Sequence, residues 1–380
     1  MKKYLIAFIL SCSTFQLFSQ NTNQNWTWFI EKETDLIGYK DSLGNVVIKP
    51  KFESPTHAKI FENIIAVYEK ANLLDKKDYS YKKYHLLKNG KKVGIDSLYI
   101  FDFTLDCESE NKIRFRDPKT DLVGFFDQNG NITIPAIYNN AQPFRNGLSL
   151  VISNAKKICW EGGELSESNP CEHWSYEGNL QIINTKNEVI LDSLSFENIE
   201  NIDWYSFQKN PVFTDSTKIM LKGDDGNIYA FDNIRKKFEN WFYEDFLKDT
   251  NQERFLRNSL DQITISKNGN IKSDQFNNPF YNSFAWTKDK KENVYLNNKD
   301  FIISLFEIIK NKKLKIGISE GFTPLFIDEN FYPIYLNNCG EYQNTKFPYF
   351  EVYLTKDNGN VIYRMAFMRT KDGYKLIELA

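Results

Sequence analysis

The sequence predicts a mostly β protein: a repeat array of short antiparallel three-strand units over residues 20–236, followed by a smaller α+β domain over residues 237–380. Three observations carry this prediction. One pattern occurs twice, as "IGYKDSLGNVVIKPKF" at 37–52 and "VGFFDQNGNITIPAIY" at 123–138. Aromatic residues make up 16% of the chain, with 31 Phe and 21 Tyr, which suits many short strands whose cores are filled by rings. Beyond about residue 236 the alternating pattern gives way to helical spacing and then to three turn-separated alternating runs.

The chain opens with "MKKYLIAFILSCSTFQLFS", in which two lysines precede an apolar run from Tyr4 to Leu10 and a small residue, Ser19, closes the stretch. This is the shape of a secretory signal spanning 1–19, and it predicts an exported protein, whether periplasmic, at the cell surface or secreted. The apolar run falls short of the roughly 20 residues needed to cross a bilayer and is broken by Ser11, Ser13 and Gln16. Cys12 provides an alternative, a lipoprotein, against which Leu10 is bulky where lipidation prefers a small residue. No later segment reaches spanning length, so no transmembrane helix is expected in the mature chain.

The two copies share Gly38 with Gly124, Asp41 with Asp127, Gly44 with Gly130, Asn45 with Asn131 and Ile48 with Ile134. These are residues that a hairpin requires. Asp41 and Asp127 accept backbone N–H groups two residues on, and Gly44 and Gly130 take the positive φ of a tight loop with a bulge. Beyond the turn, Val46 and Ile48, like Ile132 and Ile134, are expected on one face. A third strand follows at 64–68 and at 148–152, each introduced by an aromatic, Phe61 or Phe144. Fainter copies start at Val93, Leu180 and Ile228, and their uneven steps imply insertions inside a repeat of roughly thirty residues.

These residues resemble the bacterial WG-repeat family, whose unit has a Trp-Gly pair, an Asp three places after the Gly, a turn Gly, and an Ile-Pro-x-x-aromatic tail. Gly124 through Ile134, Pro135 and Tyr138 fit that pattern, and so do Gly38 through Phe52 with the proline one place later at Pro50. Ile37, Val93 and Val123 stand where the family has its Trp. The resemblance implies a β-rich repeat array used for binding, with no general catalytic activity.

With the leader removed, Cys107, Cys159, Cys171 and Cys339 remain, an even number in a compartment that permits disulfides. Cys159 and Cys171 flank "WEGGELSESNP", which reads as an exposed loop closed by a disulfide; the pairing of Cys107 and Cys339 stays open. A metal site from Cys159, Cys171 and His173 is the rival reading, but no close Cys pair supplies the short ligand spacing of structural zinc. Trp160, Trp174 and Tyr176 lie in or beside this loop and are the candidate partner-binding residues.

Formal net charge is -2, from 48 basic and 50 acidic residues, so there is no basic field for nucleic acid. The lysine- and tyrosine-rich run from Glu69 reads as a solvated insertion between strands. Three histidines, His57, His85 and His173, fit no catalytic motif, and "EGGE" around Gly162 and Gly163 lacks the Lys-Ser/Thr of a phosphate loop. No catalytic, cofactor-binding or metal-binding residue is therefore expected.

In the C-terminal part, "FENWFYEDFLKDTNQERFLRNSLDQI" places Trp241, Phe242, Asp245, Phe246, Phe255, Leu256 and Leu260 at helical spacing. A second helix is predicted over 298–313, with Ile302, Leu305, Phe306 and Ile309 on one face. The final 32 residues or so read as a three-strand meander, and "MAFMRTKDGYKLIEL" loosely resembles the last strands of cone-shaped NTF2-type folds. Two functions follow from these features. The first is a non-catalytic module binding a protein or glycan in the cell envelope. The alternative is an exported hydrolase with a carboxylate-based site in the C-terminal domain.

Overall fold

The computed structural model describes residues 24–72, 80–213, 215–248, 251–266, 286–311, 314–321, 333–357, 359 and 361–380. The expected leader, with Cys12, lies outside the described residues. The architecture is mostly β, in several antiparallel sheets with a few helices near the C-terminus.

Strands β1 (Trp26–Ile30), β2 (Ile37–Lys40) and β3 (Val46–Phe52) form a meander that continues through β4 (Ile64–Lys70) and β5 (Tyr81–Leu87). Strands β6 (Lys112–Arg116), β7 (Val123–Asp127) and β8 (Ile132–Tyr138) form the same meander again. The three-strand unit thus begins one strand earlier than the repeated pattern suggests. In the first copy the expected third strand follows in the same sheet: β4 pairs with β3 at Phe52 and Glu69 and along its length with β5. The stretch 148–152 belongs to β9 (Leu148–Cys159), in a different sheet from β8.

Local chemistry sets these turns. Asp41 Oδ1 accepts the N–H groups of Leu43 and Asn45, both at 2.9 Å, and Asp127 Oδ1 accepts those of Asn129 and Asn131 at 2.9 and 2.8 Å. Gly44 and Gly130 follow with φ of +85° and +73°, where a Cβ is strained. A Cβ on Gly38 would lie 2.6 Å from the Ile48 carbonyl oxygen and 2.9 Å from the Phe29 ring; one on Gly124 would lie 2.6 Å from the Ile134 oxygen and 2.8 Å from the Phe115 ring. Each of these glycines lets a ring from the preceding strand rest on the hairpin. Val46 and Ile132, next to the turns, are exposed, while Ile134 is buried. Both hairpins are bulged there, so the expected apolar face begins only at Ile48 and Ile134.

The fainter copies resolve differently. The copy at Leu180 is a hairpin of β10 (Trp174–Asn184) and β11 (Val189–Leu194), with Asn184 Oδ1 accepting the N–H groups of Lys186 and Glu188 at 2.9 and 3.0 Å. The copy at Val93 is not a hairpin: Lys92–Val93 merely ends the first sheet. At Ile228 the turn precedes the copy, between β12 (Lys218–Lys222) and β13 (Ile228–Asp232), where Gly226 N–H donates to the Gly223 carbonyl. The later half of the run from Glu69 is not a solvated insertion but β5, with Tyr84, His85, Leu86 and Leu87 buried, while residues 73–79 lie outside the described residues.

Helix α1 (Ile234–Trp241) continues into a π-helical turn at Phe242–Phe246, and α2 (Gln252–Arg257) restarts behind Asn251, whose side chain accepts the Arg254 N–H. Leu260, expected on a helix, lies in β14 (Ser259–Ser266), because "SLDQITIS" alternates and carries β-branched residues. After β15 (Trp286–Lys290) and α3 (Lys291–Asn297), α4 (Lys299–Lys310) buries Ile302, Leu305, Phe306 and Ile309 as expected. Strands β16 (Lys315–Gly321), β17 (Tyr349–Thr355), β18 (Val361–Thr370) and β19 (Gly373–Leu379) complete a sheet of order β15-β14-β19-β18-β17-β16, in which β17, β18 and β19 are the expected meander. The helices pack against Phe350, Val352, Leu354 and Phe367 of this sheet. No helix among the described residues is long and apolar enough to cross a membrane.

The contacts between the C-terminal part and the array include two that join residues far apart in sequence. In one, Arg369 pairs with Asp203, its Nη2 3.1 Å from Asp203 Oδ1. In the other, Cys339 is bonded to Cys107, and the Ile60 N–H donates to Asn338 O at 2.9 Å. Cys339 sits on a turn of the repeat's own kind, since Asn337 Oδ1 accepts the N–H groups of Cys339 and Glu341, both at 2.9 Å, and Gly340 has φ +78°.

Candidate binding cleft on the β-ribbon

Strands β9 and β10 form a ribbon paired from Leu148 and Asn184 to Cys159 and Trp174. Its inner half is core, with Leu148, Val151, Leu180, Ile182 and Ile183 buried. Past a bulge between Ser153 and Lys156 the ribbon turns polar. Gly178 is required there, because a Cβ would lie 2.4 Å from that of Ala155. The Cys159–Cys171 disulfide, with Cα atoms 6.0 Å apart, closes the tip. Inside the loop the Asn169 side-chain amide donates to the carbonyls of Gly162 and Glu164 at 3.4 and 3.1 Å, so the loop is ordered by its own bonds. The two sulfurs are joined to each other, which removes both from the metal site considered with His173.

Trp160 is 70% exposed and stacks on His173, centroids 5.0 Å apart and planes at 25°. Trp174 meets Tyr176 edge-on at 4.9 Å, and Lys157 Nζ lies 4.5 Å above the Trp174 ring. Lys157 also reaches Asp121 Oδ2 at 2.7 Å, and Arg116 Nη1 donates to Asp121 Oδ1 at 3.1 Å. Burial alone would raise the Asp121 pKa, but the two cations outweigh it and lower it. These groups line a cleft of about 880 Å³ between the ribbon and the second repeat, floored by Tyr99 and bordered by the exposed rings of Phe101 and Phe196. Asn140, Gln142 and Glu172 add hydrogen-bonding groups to its walls.

Trp160, Trp174 and Tyr176 therefore share one cleft. Asp121 and Arg116 were missed by the sequence reading, although a signal existed: "TDLIG" at 34–38 and "TDLVG" at 120–124 mark a repeated loop in which Asp35 and Asp121 take φ of +57° and +58°. Gly38, Asp41, Gly44, Gly124, Asp127 and Gly130 do not line this cleft; they shape the hairpins.

Several buried carboxylates elsewhere are engaged. Arg364 is buried between Glu351 and Glu378, with Nη1 2.6 Å from Glu351 Oε1. Asp106 pairs with the buried Arg114. Glu108 accepts the N–H groups of Asn63 and Ile64 at 2.9 and 3.1 Å.

Residues 37–68 and 124–156 match the family model for the WG containing repeat. The chain carries WG repeats. No curated protein matches it. In each WG repeat the matched stretch starts at the second strand of a meander; the first stays within one sheet, while the second runs on into the next sheet. The last strand of the second WG repeat is thus β9, which belongs to the next sheet and carries the ribbon.

Proposed function

We propose that this is an exported, non-catalytic WG-repeat protein whose ribbon cleft binds a glycan of the cell envelope. The observation carrying this reading is the convergence of Trp160, Trp174 and Tyr176 in one cleft with Arg116, Asp121, Asn140 and Gln142. Ring faces beside fixed charged and amide groups suit a sugar, which presents C–H faces and hydroxyls together. The disulfide and the internally bonded loop lower the ordering cost of binding. Export is supported by the leader-like residues 1–19 and by two disulfides. In this reading residues 20–236 bind and residues 237–380 brace the array. The brace role is favoured over the hydrolase alternative because Glu351 and Glu378 share one guanidinium, which leaves neither as a free acid or base.

A protein partner is the second reading, favoured by Phe101 and Phe196, 69% and 65% exposed at the rim. The test is titration of the mature protein with soluble fragments of envelope glycan and with envelope protein extract, using wild type and Trp160→Ala. Saturable glycan binding weakened by Trp160→Ala supports the first reading. Binding of a protein but no glycan, with the same dependence, supports the second. Binding untouched by Trp160→Ala removes the cleft from both.

A further inference from the structure

We propose that, once the Cys107–Cys339 bond is reduced, His57, Cys107 and Cys339 form a site for Zn²⁺. The strap between residue 107 and the C-terminal turn then has a disulfide form and a metal form. The ligand atoms of these three residues all lie within 4.8 Å of one another. His57 Nε2 is 3.5 Å from Cys107 Sγ. Zinc bonds of about 2.3 Å to sulfur and about 2.0–2.1 Å to nitrogen set those two atoms about 3.5 Å apart across a tetrahedral angle. The imidazole is therefore already at ligand spacing from the sulfur.

Its orientation is also set. His57 Nδ1 lies 3.3 Å from the Pro55 carbonyl oxygen, which only accepts, so Nδ1 carries a proton, while Nε2 faces the sulfurs and Glu341 and gives up any proton of its own when metal binds. A carbonyl holding the far nitrogen is the usual outer partner of a metal-bound histidine. Glu341 Oε1, 3.7 Å from the same Nε2, is placed for the fourth position. Cys339 and Glu341 ride on the turn held by the Asn337 side chain, and the Cα atoms of Cys107 and Cys339 are 6.2 Å apart. Separating the sulfurs to zinc spacing, about 3.7 Å for two bonds of about 2.3 Å, is a matter of side-chain rotation. A thiolate and imidazole set selects zinc over the hard cations calcium and magnesium.

The chemistry balances with a dithiol as reductant. Its two electrons break the S–S bond, giving two cysteine thiols and the reductant's cyclic disulfide. Zinc binding then displaces one proton from each thiol to water. The three ligands come from positions 57, 107 and 339, so no sequence spacing announces them.

The test uses the mature chain carrying Cys159→Ser/Cys171→Ser, which leaves Cys107 and Cys339 as its cysteines. After reduction by a phosphine, Zn²⁺ is titrated against a chromophoric chelator, and Co²⁺ is titrated for its absorption spectrum. The expected result is one equivalent of metal, no binding before reduction, a tetrahedral Co²⁺ spectrum with thiolate charge transfer, and affinity reduced more than about tenfold in His57→Gln. A reduced protein that binds no zinc, a Co²⁺ spectrum without thiolate charge transfer, or His57→Gln binding as tightly as the parent overturns the proposal. The Co²⁺ spectrum of the parent decides even where His57→Gln fails to fold.

Discussion

Replacing Gly130 by alanine is expected to cost about twice or more what the same change costs at Gly44, although both glycines occupy the same place in the same turn. At each, the left-handed backbone costs about 1–2 kcal/mol once a Cβ is present. Part of this, about 0.4–1 kcal/mol, is offset because the unfolded chain loses freedom. A Cβ on Gly44 would meet nothing within 4 Å, so its net cost stays near ~1 kcal/mol. At Gly130 a Cβ would lie 2.9 Å from Leu87 Cδ1 and 3.1 and 3.2 Å from the Val93 methyls. Overpacking of that kind adds about 1–3 kcal/mol, for a total of about 2–4 kcal/mol. Leu87 and Val93 end the first sheet, so the contrast measures how the second repeat seats on the first. Guanidinium unfolding followed by tryptophan fluorescence and circular dichroism gives both values. Equal losses at the two sites would refute the inferred packing.

Three further outcomes are expected. Burial lowers the pKa of the fully buried His85 from 6.5 to about 4, so the unfolded state binds more protons between those values. Stability is complete above about pH 6.5 and falls by up to about 3 kcal/mol as pH drops towards 4; a His85→Leu variant showing the same acid slope as wild type would refute this. Arg364→Met leaves Glu351 and Glu378 without their shared cation and should cost about 3–5 kcal/mol in chemical unfolding, whereas an unchanged midpoint would show that the cluster contributes nothing. Cys107→Ser/Cys339→Ser opens a cross-link between residues 232 apart and should lower stability by about 2–5 kcal/mol; a midpoint equal to that of the oxidised wild type would contradict the strap.

Features set by neighbouring residues were legible in the sequence. The Asp41 and Asp127 turns, the amphipathic face of α4 and the closing meander each depend on contacts a few residues apart, and each occurs where the pattern places it. The phase of the meander was misread because β1 and β6 carry little of the repeated pattern, although Phe29 and Phe115 hold equivalent places over Gly38 and Gly124. The predicted long helix failed at Asn251 and at the alternating "SLDQITIS", where capping and β-branching outweigh helical spacing. Contacts between distant residues were not specified by the sequence: Arg369 with Asp203, Lys157 above Asp121, whose loop "TDLVG" is marked but whose partner is not, and Cys107 with Cys339, whose pairing the cysteine count left open. In the cleft, Trp160, Trp174 and Tyr176 were visible through the cysteine-bounded loop, while Arg116 comes from the meander that the ribbon folds back upon and Tyr99 from the segment before it.

The most direct test of the ribbon cleft as the binding site is calorimetric titration of envelope glycan fragments into the mature protein and into folded Trp160→Ala and Cys159→Ser/Cys171→Ser variants. Truncating one anchoring ring in such a cleft is expected to weaken binding by about 1–3 kcal/mol, and opening the loop should weaken it with a less favourable entropy. Affinity unchanged in both variants would contradict the assignment of the cleft as the site of binding.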